Sequence, residues 1–254
     1  MTDTFFLISN YNTDPSYLIK YCKDYIIYDQ SDPLIFDIKK TNLNYVKYEN
    51  TGHNITSYFQ YFVDNYNDLP SHIALLKGNI IDRHVSEDYF KKIYKNKFFT
   101  YLFSCESVTP VGKSHHILTD NVYVELNNSW YTRYHPVKFF NSYNSMLKFI
   151  YKEPLISKYC TFSPGGCYII SKENILNNSK EFYENLIKII NYNKAPKSPS
   201  EAHIIERMLP VIFNTCIEKN TYMDSIKAFD NEISKLIEPK FNFSFIEYIK
   251  NIFK

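Results

Sequence analysis

The sequence predicts an α/β domain, a three-layer sandwich in which helices flank a mainly parallel mixed sheet. Three observations carry that prediction. Over the first 105 residues, short apolar runs of strand length alternate with stripes at helical spacing, the pattern that builds parallel sheets. Two of the runs are joined by a segment with a helix-start signal, which makes a right-handed β-α-β unit. The 254 residues, 44% hydrophobic and 22% charged, suffice to bury a large core without staples.

Taken in order, residues 4–9 (TFFLIS) are a buried strand and Asn10 to Thr13 a turn. Asp14 and Pro15 then supply an N-cap and a proline at the first helical position, with Leu18 and Cys22 on the inner face. Residues 24–28 and 44–48 read as further strands. The clearest helix follows: Asn54 is placed to cap it, and Ile55, Tyr58, Phe59, Phe62, Val63 and Tyr66 repeat at the spacing of one buried stripe. Asn67 to Pro70 stops it. Residues 72–76 form a strand, 86–95 a helix and 98–104 another strand. The stretch 106–160 reads as loops, one or two strands and a helix near 141–151. Beyond it come the turn Ser163-Pro-Gly-Gly166, a strand over 167–170, and helices from Ser171 and over 179–191. Ser198 and Glu201 have capping-box spacing at the head of the next helix, which Pro210 should kink. Two helical stretches, about 222–237 and 243–253, end the chain. Nothing divides it, so it reads as one domain: 1–105 the ligand-binding half, 106–220 the acceptor half and 221–254 a helical extension.

Composition excludes several functions. The net charge of +2, from 29 basic and 27 acidic residues, gives no field for nucleic acid. Five cysteines without a C-x-x-C spacing argue against a disulfide framework or a structural zinc site and fit a reducing, cytoplasmic compartment. No segment reaches the ~20 apolar residues of a membrane span, and no export signal is visible. The sequons at Asn54, Asn127, Asn177 and Asn242 are therefore read as chance. Tyr 24 and Phe 20 against Gly 5 indicate an AT-rich genome, so no single Tyr, Asn or Lys counts as a signal. His115-His116 is read as an exposed loop.

Ligands of parallel sheets sit at the carboxyl ends of the strands. Here those ends are Ser9-Asn10-Tyr11, Tyr28-Asp29-Gln30 and Lys77-Gly78-Asn79, all polar or small. Asp29 could accept from a ribose or base, or simply close a turn. Asn50, Gly52 and His53 precede a helix N-terminus, where free N–H groups favour an anion. Gly78 would let the backbone approach a diphosphate. Gly165 and Gly166 could shape an acceptor pocket or merely turn the chain. Glu201, His203, Glu206 and Arg207 share a helix, and the plain reading is a solvated face.

Three segments carry a family resemblance: residues 9–18 (SNYNTDPSYL), 50–58 (NTGHNITSY) and 64–70 (DNYNDLP). So do residues 73–79 (IALLKGN), 166–172 (GCYIISK), Glu201 and 206–213 (ERMLPVIF). Together they resemble a domain family of fungi and bacteria that bears only an unknown-function label, over most of residues 5–213. That family is similar in layout to glycosyltransferases of the GT-A, Rossmann-like fold, including capsular-polysaccharide enzymes. The resemblance implies a nucleotide-diphosphate sugar donor bound by Ser9, Asn10, Tyr11, Asp29, Gly52, His53, Lys77, Gly78 and Asn79, and transfer to a glycan acceptor. It implies Glu206, with Glu201, as the carboxylates that deprotonate or position the acceptor, and Gly165, Gly166 and Arg207 on the acceptor or its phosphate. Where such enzymes carry the Asp-x-Asp that holds Mn²⁺ or Mg²⁺, this chain has Lys77-Gly78-Asn79, with Asp82 beyond. A lysine can neutralise phosphate without metal, so no metal ligand is assigned. The same departure keeps open a catalytically inactive binding or structural module. A nucleotidyltransferase or hydrolase ranks last, because no P-loop, G-x-S-x-G or Cys–His signature occurs. The segment 243–253, weakly basic and amphipathic, could rest on a membrane surface, although packing on the domain is the plainer role.

Overall fold

In the computed structural model, which describes residues 4–104, 115–117, 122–127, 135–192 and 199–237, the main sheet grows outward from the first strand. β1 (Phe5–Asn10) pairs in parallel with β2 (Tyr25–Asp29), and β2 with β3 (Tyr45–Lys47). Between β3 and the next strand runs helix α1 (His53–Asp64). β4 (His72–Lys77) then crosses to the other side of β1, again parallel. Helix α2 (Glu87–Ile93) leads to the two-residue β5 (Thr100–Tyr101) at the far edge. A small antiparallel sheet follows, from β6 (His115–Ile117), β7 (Tyr123–Leu126) and β8 (Tyr159–Thr161), with helix α3 (Tyr143–Ile150) between its last two strands. β9 (Tyr168–Ser171) returns to the main sheet and inserts between β4 and β5, antiparallel to both. Helices α4 (Lys172–Leu176), α5 (Lys180–Ile190), α6 (Ser200–Asn214) and α7 (Ile226–Ile237) complete the chain.

The six-strand order is β3-β2-β1-β4-β9-β5. The sheet is mixed rather than mainly parallel, because the strand over 168–171 comes back from the opposite direction. That strand also joins the two predicted halves, since residues from 168 onward complete a sheet begun at residue 5.

Alternation along the strands explains the layers. Phe6 and Ile8 of β1, with Ala74 and Leu76 of β4, face a core completed by Leu18, Phe90 and Ile93. Leu7, Ile73 and Leu75 face the other way, onto Tyr58, Phe59 and Phe62 of α1 and the stripes of α5 and α6. Each side chain of a strand points opposite to its neighbour, so strands covered on both faces read as continuous apolar runs.

Several local expectations change. The segment after Asp14 is a 3₁₀ turn over Ser16–Leu18 rather than an α-helix, with the Asp14 carboxylate accepting from the Ser16 amide at 2.9 Å. The strand expected over 98–104 shrinks to two residues. Asn54 does not cap α1; the helix starts one residue earlier, and the Asn50 side chain accepts from the His53 amide at 3.2 Å. His115 and His116 lie in β6 rather than in a loop. α6 begins at Ser200 and runs through Pro210. Ser198, Trp130, Cys105 and the 243–253 segment lie outside the described residues. Among the described residues, no helix is long and apolar enough to cross a membrane.

Candidate functional site

The sheet order reverses between β1 and β4: the chain first builds outward through β2 and β3, then returns to β1's other edge. Such a reversal opens a crevice at the carboxyl ends of the two strands. The register sets Ser9 beside Lys77 there. Leu75 pairs with Tyr168 across β4 and β9, and continuing that antiparallel register brings the Ser163–Gly166 turn to the same end. The strand-end residues read from the sequence do therefore meet, but they divide into two groups with different chemistry.

The first group is a closed frame. Asp29 is fully buried, and its carboxylate accepts from Asn10 at 3.0 Å, from the Ser31 hydroxyl at 2.7 Å and from the Lys47 ammonium at 2.8 Å. In this structure it braces β1, β2 and β3 and exposes no face. Asn10 also accepts from the Thr13 hydroxyl and donates to its carbonyl, which folds the turn after β1 back on itself. A Cβ on Gly78 would lie 2.1 Å from the Asn10 side-chain oxygen, so close packing against this turn accounts for the glycine. Ser9 shares a buried contact with Ser57 of α1, and Gln30 donates to Ser57 and to the His53 carbonyl. Gln30, read from the sequence only as part of a polar strand end, thus fixes the first turn of α1 to the sheet. Gly52 serves the same docking: a Cβ there would meet Ile190 of α5 at 2.2 Å. Tyr11 is open, 54% exposed at the rim.

The second group is an open cluster around Lys77. Its ammonium makes no hydrogen bond or ion pair among the described residues, and burial lowers its pKa despite the opposing charge of Glu206. Glu206 reaches in from α6, where its Oε1 accepts the Gly165 amide at 2.7 Å and its Oε2 lies 3.9 Å from His203 Nδ1. Burial pushes this carboxyl up, but the partnership with His203 and the charges of Arg207 and Lys77 outweigh that and hold it at about 2. It is a permanently ionised acceptor and a weak base.

Gly165 is the joint of the cluster. Its φ of +85° is a conformation for glycine, its amide holds Glu206, and its carbonyl accepts from Asn54 at 2.6 Å. This contact is where the Asn54 side chain goes instead of capping α1. Gly166, at φ +64°, lets the turn pass under Ile55 and Leu209. Both glycines therefore place Glu206 and α1 rather than touching an acceptor by themselves. Against Gly165 lies His84, whose Nε2 would be 2.8 Å from a Cβ added there. Four of the seven histidines surround this point. His53 and His203 have ring centroids 5.2 Å apart, and His203 and His135 3.9 Å apart. Burial first, then neighbouring positive charge, lowers His84 to about 3 and His53 and His135 to about 4, so all three are neutral. His53 also has a φ of +55°, a strained value of the kind that collects at functional sites. His84 and His135 carry no sequence signal, because isolated histidines in loops have no periodicity to betray them.

Two of the expected catalytic and phosphate-binding residues turn inward. Glu201 is fully buried, and its Oε1 accepts from the amides of Lys138, Phe139 and Phe140 at 2.9, 2.7 and 3.2 Å. This oxygen anchors the segment before α3, while Oε2 is buried with no hydrogen-bond partner among the described residues. Arg207 forms a bidentate pair with Glu125 of β7, at 2.8 and 3.2 Å for its closest and longest contacts, and packs over Phe162. It ties α6 to the small sheet. Asn79 occupies the turn after β4. A polar cleft of about 500 Å³ runs along Asp82, Ser86, Glu87 and Ser104, but none of Lys77, His84 or Glu206 lines it. Among the described residues, no three His, Cys, Asp or Glu side chains are arranged to hold a metal ion.

A family model spans residues 11–227 of the chain, most of its length and all of the cluster just described. The chain belongs to the DUF3431 family, a family of proteins of unknown function. The family's span ends within α7, so α1, the Lys77 strand end, the Gly165 turn and the Glu206 helix all fall inside it. Neither the curated proteins nor the solved structures give a match to this chain.

Proposed function

We propose that this protein is a glycosyltransferase of GT-A type that takes its sugar from a nucleotide-diphosphate donor held at the β1–β4 switch point. The observation that carries the reading is Lys77: a half-buried ammonium at the end of β4, with no partner among the described residues. A charge desolvated without a partner is costly, and an anion such as a diphosphate would relieve that cost. By the resemblance, position 77 corresponds to the Asp-x-Asp of metal-dependent enzymes, which favours charge neutralisation by lysine. Tyr11, open at the rim, supplies a flat face for a base. Glu206, ionised and fixed by Gly165, is suited to orient an acceptor hydroxyl more than to take its proton.

Thermal unfolding in the presence of UDP-, GDP-, CDP- and TDP-sugars, with and without Mn²⁺, tests this reading. One donor class should raise Tm in wild type without needing Mn²⁺. The shift should vanish in Lys77→Met, since a lost charge-assisted contact of about 1.5–3 kcal/mol weakens binding roughly 10- to 100-fold. No shift with any donor would refute the proposal. A second reading, a catalytically inactive binding module on the same fold, is favoured by the weak basicity of Glu206; it requires that no donor ever lose its sugar to an acceptor.

A further inference from the structure

We infer that His84, Glu206 and the Gly165 turn form the subsite for the hydroxyl groups of a sugar ring, with His84 as a binding residue. The inference rests on the donor-site reading above and goes beyond it by naming what binds beside Lys77.

His84 is 9% exposed, and neither ring nitrogen has a hydrogen-bond partner among the described residues. Buried polar atoms in folded proteins are nearly always paired, and an unpaired one calls for an explanation. Its position is not accidental slack, for the backbone is pinned at both ends: the His84 amide donates to the Ile80 carbonyl at 3.0 Å, and its carbonyl accepts from Ser104 at 2.9 Å. The ring is held against Gly165, the residue whose amide fixes Glu206. Any side chain at position 165 would fill the space that the imidazole occupies.

The chemistry of the set selects the ligand. A neutral imidazole offers one donor and one acceptor, an ionised carboxylate offers only acceptors, and an ammonium only donors. Neighbouring hydroxyls, each both donor and acceptor, match that mixture. A phosphate does not match it at the Glu206 end, where two anions would meet in a partly desolvated site. The charged groups facing His84 are Lys77, Arg83 and Glu206. The phosphate therefore belongs with Lys77, and the sugar with His84 and Glu206.

The ring signals of His84, assigned by comparison with His84→Phe, report the subsite in NMR spectra of the full chain. Three probe classes are added: nucleoside diphosphates, the corresponding nucleotide sugars, and methyl hexosides at high concentration. The His84 signals are expected to move with nucleotide sugar and with at least one hexoside, and not with the matching diphosphate alone. In parallel, the affinity gained by adding the sugar to the nucleotide should fall about tenfold in His84→Phe, one polar contact of about 1.4 kcal/mol, while diphosphate affinity stays. If diphosphates bind and no sugar moves His84, the subsite is overturned and the donor reading stands. If hexosides move His84 and no nucleotide binds, the donor reading falls and the subsite stands. Silence from all three classes overturns both.

Discussion

Two carboxylates sit at the same end of the molecule and behave as opposites. Asp29 has its hydrogen-bonding capacity taken up by Asn10, Ser31 and Lys47. Glu206 has one oxygen fixed by Gly165 and the other facing His203 at 3.9 Å, beside an ammonium and an imidazole that have no partner among the described residues. Position at a strand end does not make a functional residue. What separates these two carboxylates is how much of their surroundings the fold has already paired.

That comparison is sharpened by three expected outcomes. The largest concerns Arg207, which belongs to a frame although its neighbour Glu206 belongs to the site. Arg207→Ala should cost about 3–5 kcal/mol, the loss on breaking a buried pair, because it strands Glu125 at 0% exposure. Urea denaturation measures this, and a loss below about 1 kcal/mol would mean the pair is not what joins α6 to β7. Next, Asp29→Asn should lower stability by about 1–3 kcal/mol, as buried donors lose their charged acceptor. Lys77→Met should lower it by much less, and reversal of that order would erase the distinction between frame and site.

The remaining effect is a pH dependence. His84 is held at about 3 and His53 and His135 at about 4, all below the usual histidine value. Below about pH 6.5 the unfolded chain binds protons that the folded one refuses, so stability falls as pH drops from about 6.5 towards 4. Each buried histidine contributes about 1.4 kcal/mol per pH unit in that window. Denaturation at pH 7, 6 and 5 should give a steeper fall in wild type than in His84→Phe. Equal slopes would mean that the imidazole is not held neutral in the fold.

Much of the frame was legible beforehand. The stripe from Ile55 to Phe62 announced α1, the apolar runs announced β1 and β4, and their polar ends pointed to the crevice where Ser9 and Lys77 meet. The direction of β9 was not legible, since it depends on the route taken by 106–167 and not on the strand's own residues. Glu201 and Glu206 look alike in sequence, five residues apart on one helix. Only the tertiary structure sends one to the amides of residues 138–140 and the other to Gly165. Asn54 had a plausible local role as a cap and lost it to a carbonyl 111 residues away.

That last contact bears on how the chain assembles its candidate site. The Gly165 turn joins residue 54 to residue 206 across sequence separations of 111 and 41, and neither half of the chain contains more than part of the cluster. Contacts that close such long loops form only after the entropy of closure has been met. The cluster around Gly165 is therefore among the last features to be completed, after the parallel strands and α1 have assembled. A ligand that spans it would bind only the finished fold and would stabilise the whole chain rather than one lobe. In a cell, occupancy of the cluster would report that synthesis and folding had run through to α6.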